Sequence, residues 1–235
     1  MIGLALAAEA LRARIRDTCL RCGRDPSTVR LLAVTKTHPA DTVLAAMDAG
    51  LTDFGENYAQ ELVAKAAAVT SAGRRPNWHF IGGLQTNKVR SVMPVVASVH
   101  SVDRPSLIDE LGRRSSQDAP LPVFVEVNVG GEDQKSGASP GDVTELCRRI
   151  LGVPSLHLSG LMAVPPITGE PEDSRPYFRG LRELRDGIVS GLGGPAGILG
   201  HLSMGMSHDF EVAIEEGATW VRVGTALFGY RSHAR

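Results

Sequence analysis

The sequence predicts an α/β protein, a single (β/α)8 barrel of the TIM type with one extra helix at its amino terminus. From position 30 onward, short apolar runs rich in β-branched residues alternate with longer segments of helical periodicity. Eight strand candidates fit within 235 residues, which is close to the usual length of a closed eight-stranded barrel. No GxGxxG follows the first strand and no P-loop motif occurs, which disfavours an open doubly wound sheet.

The individual elements follow from the same periodicities. Residues 3–22 are expected to form the opening helix, because Leu4, Leu11, Ile15 and Cys22 recur near the helical period. The predicted strands are 30–36, 52–55, 78–82, 98–102, 122–128, 157–164, 198–204 and 220–228. The predicted helices are 40–49, 58–71, 86–92, 105–115, 140–151, 174–189 and 209–216, with Asp103 and Ser139 as caps of the fourth and fifth. The Gly- and Pro-rich stretches 165–176 and 191–197 are interpreted as loops, so residues 1–235 form one domain.

Composition excludes several classes of function. The chain has 25 Lys and Arg against 26 Asp and Glu, a net charge of −1, which gives no electrostatic handle for nucleic acid or an anionic membrane. No apolar run reaches the length of a membrane span, and Glu9 interrupts the short apolar start before any cleavage pattern of a signal peptide. Three cysteines do not make a disulfide framework, so we expect a cytoplasmic protein.

Two of these cysteines form a CxxC motif, Cys19 and Cys22. The motif is found both in redox pairs and in halves of metal sites. No second CxxC and no histidine pair at ligand spacing accompanies it, so we expect a structural role and no metal.

The chemistry of a barrel lies at the carboxyl ends of its strands, and Lys36 ends the first predicted strand. A lysine whose pKa is lowered by desolvation can attack a carbonyl and form a Schiff base. The alternative is a lysine that reaches out to solvent or pairs with Glu56. Lys135 is the competitor for this role, whereas Lys65 and Lys88 lie in helical segments and are interpreted as surface charges.

A phosphate site is expected after the last two strands. Ser203–Ser207 and Gly224–Thr225 supply glycines and hydroxyls where barrels often bind phosphate. These residues could instead be turns and caps, with Ser207 capping the helix that follows. Arg222 interrupts the last apolar strand and needs an acceptor, either a carboxylate of a neighbouring strand or a ring nitrogen or carboxylate of a ligand.

Taken together, these segments resemble the pyridoxal phosphate homeostasis proteins, which are similar to the barrel domain of alanine racemase. The matching segments run in order along the chain: LLAVTKTHP (31–39), FGENYAQE (54–61), WHFIGGLQTNK (78–88), VNVGGEDQKSG (127–137), GLMAVP (160–165), LSMGMSHDFEVAI (202–214) and VRVGTALFG (221–229). The resemblance implies that Lys36 forms the Schiff base with pyridoxal 5'-phosphate and that Arg222 faces the pyridine nitrogen. The other cofactor-binding residues that it implies are Ser203, Met204, Ser207, Gly224 and Thr225 around the phosphate, Asn57 and His79 lining the pocket, and Met162 near the ring. Two small departures from the family pattern, Thr35 and His38, flank the lysine without replacing it.

Two functions remain open at this point. The resemblance favours a carrier that buffers pyridoxal phosphate or delivers it to apo-enzymes, and the alternative is an amino-acid racemase. Racemases supply their second acid/base, a tyrosine, from a domain after the barrel, whereas this sequence ends six residues after Gly229. Tyr58 and Tyr230 are the remaining candidates for that base. A Schiff-base aldolase is disfavoured because Lys36 has no obvious acid/base partner, and without a second domain we expect a monomer.

Overall fold

The structure is a computed structural model that describes residues 2–132, 136–192 and 198–229. Lys135, Tyr230 and residues 193–197 of the expected loop at 191–197 lie outside the described residues. None of the helices in the described ranges combines the length and apolar character that crossing a bilayer requires.

The described chain alternates strands and helices from residue 30 onward. The helices are α1 Ile2–Arg21, α2 Ala40–Asp48, α3 Ala59–Ser71, α4 Thr86–Val92, α5 Pro105–Arg114, α6 Val143–Leu151, α7 Arg175–Leu192, α8 Phe210–Glu215 and α9 Thr225–Phe228. The strands are β1 Arg30–Val34, β2 Asp53–Glu56, β3 Asn77–Phe80, β4 Val96–Val102, β5 Leu121–Glu126, β6 Leu156–Met162, β7 His201–Ser203 and β8 Trp220–Val223. Short 3-10 turns at Pro26–Thr28 and Pro171–Ser174 precede β1 and α7.

The eight strands form one closed parallel barrel in the order β1 to β8. β1 pairs with β2 on one side and with β8 on the other, where Ala33 lies opposite Val223. The predicted (β/α)8 barrel with an additional amino-terminal helix is therefore confirmed. The extra helix α1 lies against α2, α8 and α9, close to the predicted 3–22.

Side chains alternate between the two faces of the strands. The outward-facing residues form one large apolar core with the helices, exemplified by Phe54, Phe80 and Val221. A separate small cluster of Leu32, Phe124, Met162 and Trp220 lies apart from that core. Histidines pack on its aromatic members, since the His79 and His100 rings lie 4.9 and 4.0 Å from those of Trp220 and Phe124. This second cluster lies in the barrel interior, where buried polar side chains such as His79 and His100 accompany it.

Three local predictions are wrong. The last strand ends at Val223, and Thr225–Phe228 is the short helix α9 instead of more strand. α6 begins at Val143 and not at 140, because Ser139 and Asp142 close a separate turn, with Asp142 N donating to Ser139 O at 3.0 Å. Asp103 does not cap α5, since its carboxylate pairs with the Arg104 guanidinium at 2.6 Å.

The cysteines of the CxxC motif occupy different environments. Cys19 is buried, Cys22 is exposed, and the two are not joined in a disulfide. Burial raises the pKa of Cys19, so this thiol is less reactive than an exposed one.

Strands β6 and β7 approach closely at Gly160, which leads to a stability prediction. A Cβ on Gly160 would lie 2.0 Å from His201 O on the paired strand. We expect Gly160→Ala to lower the free energy of unfolding by about 3 kcal/mol, because the two strands must separate to admit the methyl group. Urea denaturation measures the change.

The matched control is Gly187→Ala in α7, where nothing lies within 4 Å of the added Cβ. There the exchange should stabilise the helix by about 1 kcal/mol. Equal effects of the two substitutions would contradict the close approach of β6 and β7.

Candidate functional site

Lys36 lies at the carboxyl end of the barrel, two residues beyond the end of β1. Because β1 pairs with β8, the main chain before Lys36 runs beside Gly224. A Cβ on Gly224 would lie 3.3 Å from Val34 O, so the two strand ends touch. Lys36 is half-buried at this junction, the position where a lysine can meet a ligand held by the β8 end.

A buried ion cluster, here called the Lys65 clamp, supports the segment around Lys36. It consists of Lys65 with Glu56 and Glu61, and Lys65 Nζ lies 2.7 Å from Glu56 Oε1 and 2.7 Å from Glu61 Oε1. Only 6% of the Lys65 side chain is exposed. The interpretation of Lys65 as a surface charge is therefore wrong, because the face of α3 that carries it packs against the ends of β1 and β2. Glu56 is thereby an ion-pair partner of Lys65.

The Lys65 clamp holds the main chain on both sides of Lys36. Before it, Lys65 Nζ donates to Thr35 O at 2.5 Å, and Thr35 Oγ1 donates to Glu56 Oε1 at 2.6 Å. After it, Thr37 N donates to Glu61 Oε1 at 2.5 Å. Thr37 has φ of 65°, a left-handed conformation that a β-branched residue rarely adopts. The clamp therefore fixes a strained backbone next to the lysine.

Two buried acceptors at the end of β2 have no hydrogen-bond partner among the described residues, Glu56 Oε2 and Asn57 Oδ1. Burial raises the pKa of Glu56, although hydrogen bonds from Lys65 and Thr35 oppose that rise. Asn57 is half-buried, and its main-chain oxygen would lie 2.4 Å from a Cβ on Gly82. Because buried polar atoms are normally paired, the orphaned Asn57 oxygen is what a polar ligand at the mouth would satisfy.

The loops after β7 and β8 form an amide cup, defined by Gly224 N, Ala226 N and the hydroxyl of Ser207. Gly224 N and Ala226 N converge on Ser207 Oγ at 3.3 and 3.2 Å. Ser207 does not cap α8, whose amino-terminal turn is held by Asp209 accepting from Met206 N at 2.7 Å. Thr225 begins α9 and is exposed beside these donors. Amides that converge on one oxygen at an open helix start are suited to a phosphate oxygen.

Arg222 is buried in the barrel interior, and its hydrogen bonds go to β6 and β7. Its NH1 donates to Ser203 O at 2.5 Å and Ser203 Oγ at 3.0 Å, and its NH2 donates to Ala163 O at 2.8 Å. Burial lowers its pKa to about 10, so the guanidinium stays charged at neutral pH. No carboxylate of the described residues accepts a hydrogen bond from it; Glu126 is close enough to act on it electrostatically.

Glu126 ends β5 on the interior side. Burial raises its pKa to about 7, and the nearby Asp103 adds to that rise while Arg222 opposes it. Its Oε2 is buried without a hydrogen-bond partner in the described ranges. Glu126 was not among the sequence candidates, and its Oε2 joins Glu56 Oε2 and Asn57 Oδ1 as a buried acceptor without a partner in the described ranges.

The structure brings Lys36, Asn57, Ser207, Gly224 and Thr225 to the carboxyl end of the barrel, whereas three other candidates, Ser203, Met204 and His79, bond or pack elsewhere. Ser203 is fully buried and its hydroxyl bonds Arg222 and His100, so it does not face the amide cup. Met204 lies in the outer core, with its amide in the ladder to Trp220 O.

His79 is the third of these candidates. Its Nε2 bonds Asp53, the first residue of β2 and thus at the amino end of the barrel, at 3.0 Å. Its other nitrogen bonds Ser98 at 2.7 Å. The His79 side chain therefore points toward the amino end of the barrel, and its contact with a cofactor remains a prediction. Met162 belongs to the interior cluster, and its place near a bound ring remains a prediction.

The interior residues that sequence reasoning missed, Asp53, Ser98 and His100, carry a recognisable signal. In the segments 53–55, 77–80 and 98–100, polar or small residues alternate with apolar ones. In a barrel strand this period of two separates the interior face from the face that packs on the helices. A search for functional residues only at the carboxyl ends of the strands does not use that alternation and therefore misses these three residues.

The Lys65 clamp predicts a pH-dependent stability. We expect Lys65→Met to lower the free energy of unfolding by about 3–5 kcal/mol, because Glu56 is left buried without its cation. The pKa of Glu56 then rises further, so the native variant binds a proton that the unfolded chain has released. Its stability therefore falls as pH rises from about 4.5 through the folded pKa, and the defect should be smaller at about pH 5 than at about pH 8.

Urea denaturation at both pH values measures the loss, and Glu56→Gln combined with Lys65→Met should recover most of it. Lys88→Met in α4 is the control and should change stability by less than about 0.5 kcal/mol. A Lys65→Met variant as stable as the Lys88→Met control would show that the Lys65 clamp does not contribute to the free energy of unfolding.

Known proteins resemble this chain along almost its whole length. The family described as alanine racemase, N-terminal domain, matches residues 6–232. The pyridoxal phosphate homeostasis protein of Aquifex aeolicus is 47% identical over 221 residues, 94% of this chain and 95% of that protein. The protein of the same name from Pseudomonas aeruginosa is 48% identical over 222 residues, 94% of this chain and 93% of that one.

Solved structures agree on the architecture. PipY of Synechococcus elongatus with PLP bound is 30% identical, with a TM-score of 0.82, 96% of this chain and all (100%) of that chain being covered. Alanine racemase from Corynebacterium glutamicum is 14% identical with a TM-score of 0.64, and the match covers 96% of this chain but 62% of the racemase; this likeness concerns the fold alone. On the family match and on these full-length relatives, the chain belongs to the alanine racemase N-terminal domain family.

Proposed function

We propose that this protein binds pyridoxal 5'-phosphate in order to buffer it and deliver it to apo-enzymes, without catalysing a reaction of its own. The observation that carries the proposal is the juxtaposition of Lys36 with the amide cup at the junction of β1 and β8. An amine and a phosphate site at one barrel mouth match the two ends of this cofactor. The name of the 47% identical Aquifex protein and the PLP bound to PipY support the assignment.

Different residues of the mouth would contact different parts of the cofactor. The aldehyde of the cofactor supplies a carbon that reacts reversibly with an amine, and Lys36 is the residue proposed to form that bond. Gly224 N, Ala226 N and the Ser207 hydroxyl would bind the phosphate through charge-assisted hydrogen bonds. Thr225 adds a hydroxyl at the start of α9, and Asn57 offers its orphaned oxygen to a donor of the bound ligand.

Arg222 favours binding over catalysis. Carbanion chemistry on this cofactor is best supported when the ring nitrogen is protonated. A guanidinium has only donors and stays charged, so at that nitrogen it opposes protonation. Arg222 is already held by Ser203 and Ala163, which fixes the direction of its remaining donors. Alanine racemases resemble this arrangement, so the arginine alone does not decide between carrier and racemase.

The second acid/base of a racemase is the point on which the alternative depends. Tyr58 precedes α3 and is 58% exposed, so it lacks the buried setting that proton transfer at a cofactor face requires. Tyr230 lies outside the described residues.

We further propose that the carrier acts as a monomer in the cytoplasm, where its free cysteines would stay reduced.

Lys36→Ala is expected to abolish the visible absorbance band of protein saturated with pyridoxal phosphate, because no amine remains to bond the aldehyde carbon. Lys135→Ala and Lys88→Ala should retain the band. Reduction with borohydride followed by peptide mapping identifies the modified lysine. A reduced adduct on Lys135 would overturn the assignment of Lys36.

Delivery without turnover is the second expectation. Loaded protein mixed with an apo-enzyme that needs this cofactor should restore that enzyme's activity while its own visible band falls by an equal molar amount. Loaded protein that has been reduced with borohydride is the matched control, since its cofactor is fixed and cannot leave. The loaded protein that has not been reduced should leave the optical rotation of L-amino acids unchanged. Sustained loss of rotation would favour the racemase instead.

A further inference from the structure

A continuous row of hydrogen-bonded side chains crosses the barrel interior from the amino end to Arg222. Asp53 Oδ1 lies 3.0 Å from His79 Nε2, and His79 Nδ1 lies 2.7 Å from Ser98 Oγ. Ser98 Oγ lies 2.9 Å from His100 Nε2, and His100 Nδ1 lies 3.0 Å from Ser203 Oγ. Ser203 Oγ accepts from Arg222 NH1 at 3.0 Å. We call this row of six side chains the interior chain.

The two ends of the interior chain fix the direction of every hydrogen bond in it. Arg222 can only donate, so Ser203 accepts from it and turns its own proton toward His100 Nδ1. His100 then carries its proton on Nε2 and donates to Ser98, whose hydroxyl in turn donates to His79 Nδ1. His79 carries its proton on Nε2 and donates to Asp53. An ionised carboxylate can only accept, so the two ends demand the same polarity.

The surroundings of the chain favour this neutral, polarised state. His100 is fully buried, and this burial, with the nearby Arg222 charge, holds its pKa well below the usual range. The His100 ring stacks on Phe124 with centroids 4.0 Å apart, which fixes its plane. Asp53 also accepts from Asn77 at 3.1 Å and from Thr52 at 2.7 Å. Burial of Asp53 opposes ionisation, but the hydrogen bonds from His79 and Thr52 outweigh it and lower its pKa.

Asp53 gives the interior chain an outlet at the opposite end of the barrel from Lys36. Its side chain is 20% exposed and lines a cavity of about 460 Å³ together with Arg12, Arg30 and Asn77. The rest of the chain is closed to solvent, with Ser203 and His100 fully buried. The chain thus joins a solvent-facing carboxylate to the guanidinium that the proposed function places at the cofactor ring.

We propose that Asp53, His79, Ser98 and His100 are positioning residues that act through Ser203 on Arg222. A ligand that binds at Arg222 would thereby change the hydrogen bonding along the chain as far as Asp53. This inference rests on the proposed function for the ligand, but the polarity of the chain does not. Arg222 would then donate on both sides, to Ser203 in the interior chain and to a ring nitrogen that accepts from its remaining N–H groups. Because Arg222 can only donate, it favours the unprotonated ring, and the interior chain links a ligand at Arg222 to the amino end of the barrel.

The polarity is tested in the cofactor-free protein by long-range proton–nitrogen spectra of ¹⁵N-labelled histidine. Both His79 and His100 should be neutral with the proton on Nε2. A proton on Nδ1 of either ring, or a charged His100, would overturn the polarity. Failure of the protein to bind pyridoxal phosphate would refute the proposed function and the coupling, yet these spectra would still decide on the polarity.

The coupling is tested by interrupting the chain at Ser98. On loading with pyridoxal phosphate, the His79 Nδ1 resonance should shift in the wild type, stay unchanged in Ser98→Ala and shift again in Ser98→Thr, which restores the hydroxyl. Ser101→Ala is the matched control on the same strand, because Ser101 is fully buried and its hydroxyl has no hydrogen-bond partner in the described ranges. An equal His79 shift in Ser98→Ala would overturn the coupling.

A double-mutant cycle gives an independent readout. Asp53→Asn keeps an acceptor for His79 but removes the charge, so it should weaken cofactor binding by about threefold in the wild-type background. In the Ser98→Ala background the same exchange should have no effect, since the charge no longer reaches Arg222. Equal effects in both backgrounds would show that Asp53 acts on binding independently of the interior chain.

Discussion

The pairing of β1 with β8 is the constraint on which both the fold and the site depend. It closes the barrel by placing Ala33 opposite Val223, residues that are far apart in the chain. The same pairing brings the segment around Lys36 against Gly224, where a Cβ would lie 3.3 Å from Val34 O. An open sheet with the same strands would leave the lysine and the amide cup at opposite edges. Closure of the barrel therefore creates the candidate site.

Closure of the barrel also encloses polar side chains. The hydrogen bonds that these side chains form with one another determine how the interior is arranged. A buried guanidinium is costly unless every donor finds an acceptor. Arg222 meets part of this need with the Ser203 and Ala163 oxygens, and the proposed function directs its remaining donors to the ligand. The histidines of β3 and β4 then extend the hydrogen bonding to Asp53, where solvent is within reach. The interior thus exchanges some apolar packing for a fixed orientation of the arginine at the mouth.

The Lys65 clamp serves the other side of the mouth in a different way. Its charges hold the main chain at Thr35 and Thr37, and Thr37 has a left-handed backbone at φ of 65°. Strain of this kind persists only where the surroundings over-determine the conformation. The clamp leaves Lys36 on a rigid segment, so its position relative to the amide cup is set by the backbone and not by a mobile loop.

The sequence by itself determined the barrel, because strand and helix periods are local properties that eight repeats state unambiguously. It also pointed to Lys36, Ser207, Gly224 and Thr225, which lie at the strand ends where barrel sites occur. It did not determine which way the side chains of β3 and β7 face, and the structure shows that those of His79 and Ser203 form hydrogen bonds within the interior. Nor could helical periodicity show that Lys65 is buried, since its partner Glu56 belongs to another element. Burial and hydrogen bonding between distant segments exist only once the sheet has closed, which is why the tertiary structure alone decided them.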